Sequence, residues 1–128
     1  MPTATMTAAQ RKTFGQLLRT EREELDQQIL ALSGELQEVL DSRGEASADD
    51  EHDPEGPTMT AEWSTLSGVH GDVLAHRDAV DRAIARIDAG TYGTCLRCGQ
   101  QISRERLRAR PSADLCIDCA RATEPHRY

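Results

Sequence analysis

The chain has 128 residues, a formal net charge of −7 and only 3% aromatic residues. That length suits one domain with at most a small appendage, and so few rings leave only a thin, aliphatic core. The acidic balance argues against a protein that coats DNA, because neutralising phosphates needs clustered positive charge.

The charge is also uneven. Residues 1–90 carry 8 Lys/Arg against 18 Asp/Glu, whereas residues 91–128 carry 7 Arg against 4 Asp/Glu. A protein partner is the simpler expectation. The opening run, "MPTATMTAAQRKTFG", lacks the apolar stretch of a signal peptide. No apolar run approaches the ~18 residues of a membrane span. A cytoplasmic chain with no membrane contact is expected.

Residues 1–6 are expected to be disordered. A helix is predicted over 7–41, with Thr7 and Gln10 forming a capping box. Leu18, Arg22, Leu25, Ile29, Leu32, Leu36 and Val39 recur at alternating spacings of four and three, a heptad seam broken at Arg22. Gly15 and Gly34 each weaken that helix by ~1 kcal/mol, so packing must support it.

The stretch 41–60, "DSRGEASADDEHDPEGPTMT", changes character. Gly44, Pro54, Gly56 and Pro57 break the periodicity, and from Asp41 to Glu62 there are 8 acidic residues and one Arg. A loop is expected, longer than the ~2–8 residues usual between helices. Alone it reads as a solvated connector or as a functional tip. A second seam follows over 60–89: Trp63, Leu66, His70, Val73, Arg77, Val80, Ile84 and Ile87, with Gly90 as the C-cap. Trp63 is expected to cap the core.

Two seams of similar length joined by one loop predict an antiparallel hairpin over 7–90. It pairs Leu36 with Leu66, Ile29 with Val73, Leu18 with Ile84 and Phe14 with Ile87. Arg22 and Arg77 can lay their stems on apolar surface while their heads reach water. The alternative is that each helix zips with another chain.

All four cysteines lie in the last third, as Cys95/Cys98 and Cys116/Cys119, two Cys-x-x-Cys pairs separated by seventeen residues. Thiolates suit tetrahedral zinc, and each pair offers two sulfurs from one tight turn. Gly99 then needs a positive φ, and the second pair is expected to open a short helix, "CIDCARA". Four cysteines leave no open coordination position, so the zinc is structural, not catalytic. A thioredoxin-like site lacks its βαβ setting, although reversible thiol oxidation with zinc loss stays open. Ile102, Leu107, Leu115 and Ile117 are expected to form a miniature core. Arg104, Arg106, Arg108 and Arg110 make a basic stripe, either a solvated face or a docking surface for an acidic partner. His52, His70, His76 and His126 have no expected metal role.

The run "AGTYGTCLRCGQQISRERLRARPSADLCIDCA" resembles the four-cysteine zinc finger of the DksA/TraR family. The resemblance rests on Tyr92-Gly93-Thr94-Cys95, on Ile102, on Arg106-Leu107-Arg108-Ala109-Arg110-Pro111 and on Cys116-Ile117-Asp118-Cys119. It implies a protein that binds RNA polymerase, not promoter DNA. Its coiled coil enters the secondary channel, and its acidic tip modulates initiation, in some members together with ppGpp at the polymerase interface. The family's best-studied tips read Asp-x-x-Asp-x-Ala. Here Asp53 takes the first acidic position, but Gly56 takes the second and Thr58 the alanine's. Asp49, Asp50, Glu51 and Glu55 keep the tip acidic.

The expected architecture is therefore mainly α. A long antiparallel coiled-coil hairpin precedes a small four-cysteine zinc finger, 91–122, with a short C-terminal helix and a tail at 123–128. The expected function is non-enzymatic transcription regulation through RNA polymerase. The rivals are a coiled-coil adaptor or stress protein with a structural zinc module, and a thiol redox sensor.

Overall fold

The computed structural model describes the backbone of residues 6–49 and 56–124, and the side chains of residues 6–42 and 60–124. The expectations for residues 1–5 and for the tail at 125–128 lie outside the described residues. Four helices follow one another: α1 (Ala8–Asp49), α2 (Gly56–Ala89), α3 (Arg104–Ala109) and α4 (Ile117–Thr123). Among the described residues there is no strand, only an isolated antiparallel bridge between Thr94 and Gln101. The fold is mainly helical, with two long antiparallel helices ahead of a four-cysteine module.

The N-terminus of α1 carries the predicted capping box. Thr7 Oγ1 accepts from the Gln10 amide at 3.1 Å, and Gln10 Oε1 accepts from the Thr7 amide at 2.9 Å. Two otherwise orphaned donors are thereby satisfied. At the other end, α2 closes at Gly90, whose φ of +80° is open to a residue without Cβ. The Arg86 carbonyl then accepts from Thr91 and Tyr92 at 3.0 and 3.2 Å, turning the chain into the cysteine module.

Both long helices run further into the acidic stretch than periodicity predicts. α1 continues through Gly44 to Asp49, and α2 begins at Gly56, so the expected loop at 41–60 is helical at both ends. A lone helical glycine costs ~1 kcal/mol and does not by itself end a helix. Pro57 stands in the first turn of α2, where its missing N–H has no intrahelical acceptor to lose.

The chain divides into two units, Met1–Arg22 with Asp78–Tyr128, and Glu23–Arg77. In Glu23–Arg77 the antiparallel register is fixed by polar groups across the seam. Ser33 Oγ lies 3.3 Å from His70 Nε2, and Arg77 Nε donates to Asp26. These pairs place Ile29 level with Val73, as predicted. Leu25, Leu36 and Val39 are buried, while Trp63, Leu66 and Val73 are only half-buried. The core here is thin, as the composition requires.

In the other unit, Arg22 pairs with Asp81 at 3.1 Å, and a Cβ on Gly15 would meet Ile87 at 3.7 Å. Leu18, Val80 and Ala83 are fully buried. Arg22 and Arg77, whose side chains are 44% and 35% exposed, pair with carboxylates on the facing helix within their own units. Met6 is buried, although it falls in the stretch expected to be disordered. A Cβ on Gly93 would come within 3.2 Å of its terminal methyl, so Met6 packs on the cysteine module.

Candidate metal centre and the surface of the cysteine module

The approach to the cysteines is a short ribbon closed by backbone bonds. Ile102 N–H donates to the Gly93 carbonyl at 2.8 Å, Cys95 N–H to Gln100 at 2.8 Å, and Gly99 N–H to Cys95 at 3.0 Å. Gly99 has the predicted positive φ, +75°. This tight turn brings Cys95 and Cys98 to one side. Leu96 N–H donates to the Asp114 carbonyl at 2.9 Å, tying the first cysteine turn to the approach of the second. Cys116 is the N-cap of α4, so Cys119 lies one turn into that helix.

The four thiol sulfurs all lie within 4.8 Å of one another, and the Cys98 and Cys116 sulfurs are 3.8 Å apart. A tetrahedral zinc with Zn–S near 2.3 Å requires sulfurs about 3.8 Å apart, so the set fits the ion. None of the four is in a disulfide. They are positioned to hold one metal ion, and a C4 set is the chemistry of structural zinc. No histidine joins this cluster among the described residues.

The thiols differ electrostatically. Burial opposes ionisation of Cys95, but backbone N–H groups of Cys98, Cys116 and Arg97 outweigh it and bring that thiol down to about 6. Cys119 is pushed up to about 12, first by its hydrogen bond to Cys116 and then by burial. Four crowded sulfurs cannot all shed their protons beside one another unless a cation neutralises them.

The miniature core differs in part from the expected one. Ile102 and Leu107 are fully buried and Leu115 is half-buried, but Ile117 is 46% exposed. Cys116 and Cys119 share one side of the opening turn of α4, and Ile117 is turned about 100° from Cys116. Tyr92, Cys95, Ala113 and Ala120 complete the packing. The Tyr92 ring lies 5.6 Å from that of Phe14, and its hydroxyl donates to the Pro111 carbonyl at 2.7 Å.

The basic stripe does not survive as one surface. Arg104, Arg106 and Arg108 lie on α3, which the sequence reading missed, and Arg110 is its C-cap. The missed signal is Ser103, whose side chain accepts from the Arg106 amide as N-cap ahead of good helix formers. On a helix, Arg104 and Arg108 share one side, and Arg106 and Arg110 another. The first pair lines a groove with the start of α1. The second lines a different groove with Arg82. Arg106 Nε also donates to the Leu115 carbonyl at 2.8 Å, a bond that steadies the approach to Cys116. The acidic tip cannot be placed in the same way. Asp50, Glu51, Asp53 and Glu55 lie outside the described residues, and Asp49 is described only as the last residue of α1.

Comparison with known proteins agrees with this geometry. Residues 90–125 match the prokaryotic dksA/traR C4-type zinc finger. The RNA polymerase-binding transcription factor DksA of Haemophilus influenzae is 42% identical over 45 residues, which are 35% of this chain and 31% of that protein. An uncharacterized protein of Aquifex aeolicus is 32% identical over 90 residues, 70% of this chain and 62% of its own length. The chain thus spans less than two thirds of the length of either relative. The solved structure of transcription factor DksA2 from Pseudomonas aeruginosa superposes with a TM-score of 0.74 at 26% identity, covering 90% of this chain and 83% of that one. Residues 90–125 thus match the dksA/traR C4-type zinc finger, and the fold is similar to that of DksA2.

Proposed function

We propose that this protein is a non-enzymatic regulator that binds RNA polymerase directly and modulates transcription initiation. The observation that carries the reading is this chain's four-thiol centre behind two long antiparallel helices, in a fold similar to that of DksA2 at a TM-score of 0.74. The DksA of Haemophilus influenzae is named as an RNA polymerase-binding transcription factor, and it matches over 45 residues. On this reading the metal is structural, because four thiolates leave no position for water or substrate. The helical pair enters the secondary channel and carries Asp49, Asp50, Glu51, Asp53 and Glu55 toward the catalytic centre. Carboxylates there can compete for, or reposition, a magnesium ion. The protein would act in the cytoplasm and read no DNA sequence itself.

Co-purification with core RNA polymerase at low salt, together with altered run-off transcription, is the expected result. Absence of association at low salt would overturn the reading. Deleting Ala46–Glu55 should leave association largely intact while changing run-off yield. An unchanged yield would remove the acidic segment from the mechanism. Adding ppGpp to the same reactions determines whether the alarmone acts with this protein.

A further inference from the structure

We propose that the acidic groove between α1 and α2 within Glu23–Arg77 docks a basic peptide segment of a protein partner, one that carries a single apolar anchor residue. Every residue that lines the groove lies in that unit, and its volume is about 630 Å³. Glu35, Glu38 and Val39 share one face of α1, three and four residues apart. Glu62, Thr65 and Leu66 share one face of α2 in the same way. Val39 is buried and Leu66 half-buried, so they form the floor, while Glu35, Glu38, Glu62 and Thr65 are exposed along the walls. Val69 is 44% exposed and continues the α2 face by one further turn.

Its charge is one-sided. Three carboxylates line the groove, and among the described residues that line it there is no Lys or Arg. None of the three has an ion-pair partner among the described residues. By contrast, Asp26 and Asp81, on the same two helices, are each taken by an arginine. Residues 23–77 carry 14 Asp/Glu against 2 Arg, which extends the same sign well beyond the groove.

The combination selects its ligand. Unpaired carboxylates attract Arg and Lys through charge-assisted hydrogen bonds. They repel nucleic acid and acidic peptides. A bare metal ion or a polyamine makes no use of the Val39–Leu66 floor, whereas an apolar side chain gains by leaving water there. A segment with cations on both sides of one apolar residue matches walls and floor together. The groove residues precede and follow the acidic segment 50–55 in sequence. The proposal depends neither on that segment nor on RNA polymerase being the partner.

The test uses the full-length, zinc-loaded protein and a fluorescent synthetic peptide in which Arg residues flank one Leu. A second peptide replaces Arg by Gln, and a third replaces Leu by Ala. Anisotropy should show the first peptide binding at least about tenfold more tightly than either twin. Glu35→Gln with Glu38→Gln should weaken binding about tenfold. Thr65→Arg, a cation placed on the other wall, should weaken it as much, so the test survives if one variant misfolds. Glu23→Gln with Glu24→Gln removes the same charge roughly 16 Å or more away along α1, and should change little. Equal binding of the Ala peptide would mean attraction to acidity alone and would overturn the proposal. Equal binding of the Gln peptide, or equal loss in the Glu23 and Glu24 variant, would overturn it too. So would concentration-dependent self-association abolished by Thr65→Arg, which would identify a second copy as the occupant.

Discussion

Tyr92 shows how one side chain joins pieces distant in sequence. Its ring packs beside Phe14 of α1 and its hydroxyl holds the Pro111 carbonyl beyond α3. Burial pushes the phenol up to about 12, with the Arg86 charge pulling partly the other way. The folded protein thus holds the proton more tightly than the unfolded chain, whose tyrosine ionises near 10. The stabilisation is complete below about pH 10 and is lost as pH rises toward 12. Tyr92→Phe should cost about 1 kcal/mol at neutral pH through the lost hydrogen bond. It should also flatten the alkaline fall in stability, read by urea titration on both sides of about pH 10. A second residue-scale prediction concerns the metal. Cys95→Ser removes one of four thiolates, so zinc per chain should fall and the remaining thiols should react without a chelator. Metal analysis with thiol titration reads both. The ligand set was legible in the sequence because Cys-x-x-Cys spacing is a local property. The hydroxyl bond of Tyr92 was not, because Pro111 is nineteen residues away.

Among the elements, the long helices were the most legible and α3 the least. A seam of seven or eight positions repeats often enough to define its own period. α3 has six residues and one buried apolar side chain, Leu107, too few to reveal a period. Alternating arginines looked like a stripe until the Ser103 cap and the burial of Leu107 made the segment helical. Ser103→Ala should therefore destabilise the cysteine module by about 1 kcal/mol, measured by its melting in the zinc-loaded protein. In the long helices, the pattern Arg-x-x-x-Asp occurs once on each, at Arg22/Asp26 and Arg77/Asp81. Each arginine pairs with the other helix's aspartate. These groups are one-third to nearly half exposed, so Arg77→Ala should cost under about 1 kcal/mol. Exchanging the charges, Asp26→Arg with Arg77→Asp, should recover that loss in urea denaturation. Leu18→Ala, at a fully buried position, should cost about 2–5 kcal/mol.

At the scale of the whole molecule, metal removal separates local from shared stability. Chelation should unfold α3 and α4, because metal binding supplies much of the folding free energy of so small a module. The core of Glu23–Arg77 uses no residue of that module, so most of the helical circular dichroism should persist. The near-ultraviolet signal of Tyr92 should fall. Complete loss of helicity on chelation would show instead that the metal holds the entire chain.

What the sequence determined by itself was the chemistry that repeats locally: the four zinc ligands, the Thr7–Gln10 capping box, the glycine turns and the antiparallel register. Each depends on spacing within one segment or on matching two periodic ones. Only the tertiary structure decided which residues of the cysteine module are covered and which way its arginines divide. Phe14 met Tyr92, Met6 was buried beside Gly93, Ile117 stayed exposed, and Arg104/Arg108 parted from Arg106/Arg110. Burial is set by the segments that meet across the fold. That meeting is not encoded in the spacing of any single segment.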